Sequence, residues 1–249
     1  MNSKLQYVKL KNIYIIIVLS LWSCSKKGES IQKEKSVGDI IIISDHSNGI
    51  DELEEVDYTI LSCDSTEING KKYMGYRQST ESYFYVVNEN MDTIYKHDKW
   101  VDSIEFIDFN NDGESDILFN YVTNIPMVKD VALFNSKTNK FTLVENFSKF
   151  PDPKQVSKTG YYYSYQRAGC ADHNWVSDLF IIKDYQVLTY GRIHGIGCET
   201  VDHKTGVFIY KLVDGESQLI DSIPLDHGYN DEKCDFIEKY WTNNYKKFI

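Results

Sequence analysis

This chain is poor in proline, in cationic residues and in long apolar runs. Its N-terminal apolar run, 13–22, is too short to cross the roughly 30 Å hydrocarbon layer of a membrane, which excludes a spanning helix there. Acidic residues outnumber basic ones by 37 to 27, which argues against binding to nucleic acid or anionic lipid. The histidines lack His-x-His and His-Glu-x-x-His spacings, which excludes those zinc motifs. Only four prolines are present, so few segments are barred from forming strands.

The first residues predict an export signal that ends at a lipidation site. Three lysines precede the apolar run and Cys24 follows it, which is the order of a signal peptide over 1–23. The junction Leu-Trp-Ser-Cys resembles the bacterial lipobox, in which cleavage before the cysteine exposes a thiol for diacylation. An ordinary secretory signal with an incidental cysteine is the alternative, and either signal exports the protein. We expect a lipid anchor at Cys24 in the bacterial cell envelope, facing the periplasm or the cell surface.

The segment 24–38 is polar and charged and has no apolar periodicity. Such composition predicts a flexible tether between the lipid and the folded part. All-β chains of the remaining length commonly fold as one domain. We therefore expect a single β-rich domain over 39–249.

The cysteines divide into the lipidation site and an even set of Cys63, Cys170, Cys198 and Cys234. In an oxidising compartment, an even set predicts up to two disulfides, and three pairings are open. We favour Cys170 with Cys198 because both lie among small residues, where a close approach is sterically easy. That choice leaves Cys63 with Cys234.

Short β-branched and aromatic runs recur at about ten-residue spacing from residue 57 to residue 223, separated by turn residues. This pattern predicts a mainly β fold of antiparallel sheets, sandwich or barrel-like. Asn69-Gly70 and Asp214-Gly215 lie between such runs, where positive φ angles are needed. One helix is predicted over 231–248, because its large apolar side chains recur at helical spacing and its acids precede its lysines.

The stretch DFNNDGESD, 108–116, has the spacing of a calcium loop. Its oxygen-bearing side chains occupy alternate places at Asp108, Asn110 and Asp112, and Asp116 takes place nine. Three carboxylates and an amide oxygen form the hard shell that calcium prefers, and Gly113 allows the sharp turn that points the carbonyl of Glu114 inward. The metal ligands we predict are Asp108, Asn110, Asp112, Glu114 and Asp116, around one structural Ca²⁺. A metal-free turn rich in Asp and Asn is the alternative.

The loop departs from the EF-hand because Phe119 stands at place twelve, where that motif has a bidentate acid, and because strand-like runs flank it. The pattern instead resembles the calcium loop of FG-GAP repeats. A single copy argues against a seven-bladed propeller. The surrounding residues, about 95–215, resemble exported bacterial lipoproteins with one such loop, some of which are similar to periplasmic lysozyme inhibitors and immunity proteins. The resemblance implies a protein that binds and blocks a peptidoglycan hydrolase.

The stretches 166–178 and 190–203 hold the candidate recognition residues. If Cys170 and Cys198 pair, the bond draws together a polar and aromatic group that also includes Glu199 and His203. Its partner-binding candidates are Arg167, Asp172, His173, Trp175, Arg192 and His194. A disulfide-stapled pair of loops whose polar groups satisfy one another is the structural alternative.

Three functions remain open at this point. A cationic muramidase would be complemented by the acidic surface. A glycan-binding or structural envelope lipoprotein is the runner-up. A hydrolase that uses Asp172, His173 and His194 is a third, although we assign no catalytic residue. The aromatic run 161–165 could stack on a sugar, but a half-buried strand explains it more simply.

Overall fold

The computed structural model describes residues 8–10, 13–15, 60–78, 83–199, 204–225 and 232–249. Several predictions lie outside this part of the chain: most of the signal peptide, the lipidation site Cys24, the tether 24–38, the start of the domain at residue 39 and the side chain of His203. Within the described residues, no helix has both the length and the apolar character that a membrane crossing requires.

The described residues form antiparallel sheets and a short C-terminal helix, which confirms the mainly β prediction. The chain divides into two compact units, Met1–Trp100 and Val101–Ile249, and the single domain over 39–249 stays a prediction. A short antiparallel pair near the N-terminus consists of β1 (Val8–Leu10) and β2 (Ile13–Ile15).

The first unit contains a four-stranded antiparallel sheet in the order β3-β4-β5-β6. Asn69 and Gly70 join its first two strands with φ angles of 53° and 73°, as the turn chemistry predicts. One face of the sheet is buried because alternate residues of β4 and β5 are apolar. The strands are β3 (Ile60–Ile68), β4 (Lys71–Gln78), β5 (Phe84–Asn88) and β6 (Thr93–His97).

The second unit contains two sheets. A four-stranded sheet has the order β10-β9-β8-β7, and a seven-stranded sheet has the order β11-β12-β14-β15-β16-β17, with β13 paired to β14. The smaller sheet consists of β7 (Ser103–Ile107), β8 (Asp116–Asn120), β9 (Lys129–Asn135) and β10 (Lys140–Leu143). The larger sheet consists of β11 (Lys154–Gln155), β12 (Tyr161–Tyr163), β13 (Gln166–Arg167), β14 (Trp175–Lys183), β15 (Gln186–Ile196), β16 (Gly206–Val213) and β17 (Glu216–Ile223). A short 3-10 turn at Phe147–Lys149 follows β10.

Two apolar clusters hold the second unit together. One joins the two sheets through Leu118 and Val131 on the smaller sheet and Tyr162 and Phe180 on the larger one. The other joins the larger sheet to the C-terminal helix, where Trp241 is fully buried. Each large apolar side chain that is fully buried contributes about 1.5–3 kcal/mol to the stability of the fold.

The C-terminal helix, α1 (Lys233–Asn244), is followed by a 3-10 turn at Tyr245–Lys247. The predicted helix is confirmed within its proposed range 231–248. Its predicted apolar face packs on the sheet, since Ile237 and Trp241 are buried and the neighbouring aromatic residues are half-buried. The Trp241 Nε1–H donates to Ser177 Oγ at 2.8 Å, which fixes the helix to strand β14.

Candidate functional site

The first candidate site is the loop between β7 and β8, residues 108–115. Its flanks are strands, so the predicted departure from the EF-hand helices is confirmed. Gly113 has a φ of 93° and makes the sharp turn expected of it. Asn111 also adopts positive φ, and its side-chain amide donates to Gln155 Oε1 at 2.8 Å. The loop is therefore tied to strand β11 of the larger sheet.

Backbone amides of this loop point at its own carboxylates. The two oxygens of Asp108 accept hydrogen bonds of 3.0 Å from the N–H groups of Asp112 and Gly113. Asn110 Oδ1 accepts the Asp112 N–H at 2.9 Å, and Asp112 Oδ1 accepts the Glu114 N–H at 2.9 Å. These bonds hold the acidic side chains on the inner side of the turn, because each carboxylate is fixed to the backbone.

Asp116 is the buried member of the predicted ligand set, with 0 % of its surface exposed. Its oxygens accept the N–H groups of Phe134 at 2.8 Å and Phe109 at 3.1 Å. Burial raises the pKa of this carboxyl to about 7; the Phe134 N–H opposes that rise, and the nearby Asp112 carboxylate adds to it. A cation beside this carboxyl would favour its charged form.

The donor chemistry of the loop fits calcium, because every predicted ligand offers oxygen and none offers nitrogen or sulphur. Among the residues that the structure describes, no three Asp, Glu, His or Cys side chains are grouped as a metal ion would require. Calcium therefore stays a prediction. The pKa of Tyr162 rises to about 12, first because this side chain is buried and second because the Asp116 carboxylate is near it.

The second candidate site is the loop 168–174 between β13 and β14 together with Arg167, the last residue of β13, and we call 167–174 the stapled loop. A disulfide joins Cys170 to Cys198 with a Cα–Cα distance of 6.4 Å, so the favoured pairing is confirmed. Cys63 is an exposed residue of the first unit and Cys234 an exposed residue of the second. Their pairing stays a prediction.

The backbone of the stapled loop turns in an unusual direction. Gly169, Cys170, Ala171 and Asp172 follow one another with φ angles of 98°, 52°, 47° and 69°. Left-handed backbone costs about 1–2 kcal/mol for each residue with a Cβ, so surrounding contacts must hold it. Within the loop, His173 N–H donates to the carbonyl of Cys170 at 2.9 Å.

Side chains brace the stapled loop from three directions. Asn174 Oδ1 accepts the N–H groups of Gly197 at 2.9 Å and Cys198 at 3.3 Å. From the helix, Lys233 Nζ donates to the carbonyl of Asp172 at 3.2 Å. Arg167 pairs with the Asp172 carboxylate across the loop. The loop is consequently fixed to strand β15, to its own disulfide partner and to the helix.

The surface of the stapled loop is polar and accessible. Arg167, Ala171 and His173 are exposed, and the side chain of Arg167 keeps 46 % of its surface accessible although it pairs with Asp172. The Asp172 carboxylate is thus paired with Arg167. An arginine and a histidine are presented from a fixed backbone.

Strand β15 carries Arg192 and His194, and its neighbour β14 lies beside it in the larger sheet. Arg192 lies opposite Asp178 and donates to both carboxylate oxygens, from Nε at 2.7 Å and from a terminal nitrogen at 3.2 Å. Burial raises the pKa of Asp178, and Arg192 and then His194 oppose that rise. His194 lies opposite Val176, so the register sets both candidates on one face of the sheet.

One expectation from sequence looks different in the structure, namely that Trp175 is accessible to a partner. Trp175 is 0 % exposed and packs beneath Phe236, with ring centroids 6.3 Å apart, so it lies in the core and not on the loop surface. A Cβ on Gly195 would lie 2.2 Å from the Trp175 ring, which shows how closely strand β15 covers it. The run 161–165 forms strand β12 and its end, with Tyr162 and Tyr163 buried in the core, which favours the strand interpretation.

Sequence reasoning missed Asn174 and Lys233, which hold the stapled loop. Asn174 follows the disulfide loop directly, and an amide that can accept two backbone N–H groups is a known means of fixing such a loop. Lys233 gave no signal in the sequence, because its contact depends on where the helix docks.

Comparison with known proteins identifies no family. No family model matches the chain, and no curated protein matches it. The solved structures that resemble it include that of a Xanthomonas type IV secretion system related protein, at 17% sequence identity and a TM-score of 0.42. The match covers 64% of this chain and 93% of that one. This likeness is too low for any property of that protein to be carried over.

Proposed function

We propose that the chain is a lipid-anchored protein of the bacterial envelope that acts by binding and inhibits a peptidoglycan hydrolase. The observation that carries the proposal is the stapled loop, an exposed loop held in one conformation by a disulfide, an asparagine and a lysine. Export and lipidation remain inferences from the N-terminal sequence.

A fixed, exposed loop suits a concave partner. Binding normally costs the ordering of flexible side chains and backbone, and a loop already held in its bound shape avoids most of that cost. Glycoside hydrolases generally place two carboxyl groups on either side of the scissile bond. Arg167 and His173 are the exposed groups of the loop that suit a cleft lined by carboxylates.

The acidic character of the whole chain complements this local chemistry. Its net charge of −10 would raise the association rate with a cationic muramidase at low ionic strength. The long-range field would then attract the enzyme, and the Arg167 and His173 side chains would meet the acidic cleft. The proposal therefore predicts inhibition whose onset slows as salt rises.

Calcium has a supporting role in this proposal. Asp108, Asn110, Asp112 and Asp116 would hold the ion together with the carbonyl of Glu114. A bound Ca²⁺ neutralises carboxylates that otherwise repel one another. Because the loop is joined to strand β11 through Asn111, an ordered loop stabilises the larger sheet that carries the stapled loop.

The test is muramidase activity on purified cell walls, with and without the exported part of the chain from Ser25 onward, in calcium and in chelator. Stoichiometric inhibition is expected, and the double variant Arg167→Ala/His173→Ala should raise the half-inhibitory concentration at least about tenfold, as loss of a hot spot would. Lys183→Ala, an exposed residue at the other end of strand β14, is the matched control. Full inhibition by the double variant would contradict the loop assignment.

A hydrolase built on Asp172, His173 and His194 gives a different result in the same assay. The exported chain alone would release fragments from the walls, and His173→Ala would abolish that release while the melting temperature stayed constant. Such turnover would replace inhibition as the function.

A further inference from the structure

The outward face of the sheet in the first unit carries a row of aromatic residues. The strand register sets Tyr76 of β4 opposite Tyr85 of β5, and Tyr85 opposite Lys96 of β6. Tyr83 precedes β5 and, by the two-residue period of a strand, lies on the same face as Tyr85. We call Tyr76, Tyr83, Tyr85 and Lys96 the tyrosine row.

The opposite face of this sheet holds the core of the unit. Tyr73, Phe84, Val86 and His97 are between 0% and 3% exposed and alternate with the members of the row along their strands. On the row itself, Lys96 is exposed, Tyr83 is 38% exposed, and Tyr76 and Tyr85 are half-buried. Val87, which shares the face of Tyr85, is 1% exposed, so the accessible part of the row is Tyr83 and Lys96.

The rings of the row contact one another in sequence. Tyr76 and Tyr85 stack with their centroids 5.8 Å apart, and Tyr85 meets Tyr83 edge-on at 6.3 Å. Lys96 Nζ lies 3.5 Å from the Tyr83 centroid and 5.3 Å from that of Tyr85. A single cation is thereby held over the aromatic surface by cation–π attraction.

This combination points to one class of ligand. Aromatic faces carry negative partial charge and attract the C–H groups of a pyranose ring, and tyrosine hydroxyls can bond to sugar hydroxyls. A fixed ammonium selects for a carboxylate. Gln78, two residues after Tyr76 on the same face, adds a side-chain amide that can both donate and accept. Nucleic acid also stacks on aromatic rows, but its phosphate backbone requires several cationic groups, and the row offers one lysine.

We propose that the tyrosine row binds a glycan strand whose sugars bear free carboxylates, as the muramic acid residues of a bacterial cell wall do once their peptides have been removed. The row belongs to the first unit and the stapled loop to the second, so this site does not depend on inhibition of a hydrolase. A polar sugar ligand fits better than a protein, because the row offers hydroxyl, amide and ammonium groups beside three neighbouring rings.

The experiment measures binding of the exported chain to two soluble probes, chitotetraose and a muramic acid-containing wall tetrasaccharide, by isothermal titration and by tyrosine ring shifts in NMR. Tyr83→Ala removes the most exposed ring and should weaken both probes by about threefold to tenfold. Lys96→Met should weaken the muramic acid probe more than chitotetraose. The matched controls are Met91→Ala, an exposed position between β5 and β6, and Lys71→Met, the exposed first residue of β4.

The outcomes separate this site from the inhibition proposal. Loss of glycan binding in Tyr83→Ala with unchanged muramidase inhibition supports the tyrosine row alone. Equal binding of both probes by Tyr83→Ala and the unchanged chain, or no binding by the unchanged chain at millimolar probe, overturns it. Because Tyr83 is the most accessible ring, its truncation leaves the core untouched, and an unchanged melting temperature confirms that the variant is folded.

Discussion

Gly113 and Gly160 differ in their backbone φ angle, and this angle decides whether alanine is tolerated at each position. An added Cβ would meet no atom within 4 Å at either position, but only Gly113 has left-handed backbone, with a φ of 93°. We predict that Gly113→Ala lowers the free energy of unfolding by about 1–2 kcal/mol. Gly160→Ala should leave it unchanged or raise it slightly, because alanine restricts the unfolded chain. Urea unfolding of both variants measures the difference, and equal losses would show that the turn tolerates a side chain.

Individual residues also show which features could be predicted from the sequence and which could not. The predicted turn at Gly113 is seen because glycine at that place has a direct conformational reason. The left-handed run through Cys170, Ala171 and Asp172 was not predicted, since alanine and cysteine rarely adopt that backbone. The burial of Trp175 depends on a glycine of the next strand and on a helix residue far along the chain, which no local pattern reveals.

At the scale of elements, alternation and turn residues located the strands well. The predicted β-rich region ends at residue 223, which is also the last residue of β17 (Glu216–Ile223). Strand β11 is two residues long and was missed, because its pairing with β12 and not its composition makes it a strand. The helix ends at Asn244 and tightens into a 3-10 turn, a common way for a last turn to close.

The stapled loop gives the element-scale prediction. The disulfide closes a loop with a sequence separation of 28, so its removal should cost about 3 kcal/mol of stability. We expect Cys170→Ser/Cys198→Ser to unfold at lower denaturant and to be cut by proteases within 167–174. Adding reductant to the double variant tests the other predicted bond: a further loss of stability would reveal Cys63–Cys234, and no change would leave one disulfide. A double variant as stable as the unchanged chain would mean that Asn174 and Lys233 hold the loop alone.

For the whole molecule, the two units offer two separate surfaces: the tyrosine row on the first and the stapled loop on the second. The calcium loop lies in the second unit, where Asp116 links it to β9 through the Phe134 N–H. Any stabilisation by calcium is therefore expected to act on the unit that carries the stapled loop. The predicted calcium site is thereby expected to affect the stability of the second unit.

Asp112→Ala tests calcium at this scale. Asp112 is exposed, so its truncation disturbs little packing; it removes one predicted ligand and the hydrogen bond that this carboxylate accepts from the Glu114 N–H. At a calcium concentration one hundred times the dissociation constant, the unchanged chain should gain about 2.7 kcal/mol over the chelated form. Extracellular sites bind with dissociation constants of about 0.1–1 mM, so the titration must extend to about 10 mM or more. Asp112→Ala should melt lower than the unchanged chain in calcium and nearly equal to it in chelator. If the unchanged chain melts at the same temperature in calcium and in chelator, the loop is a metal-free turn held by its own backbone hydrogen bonds.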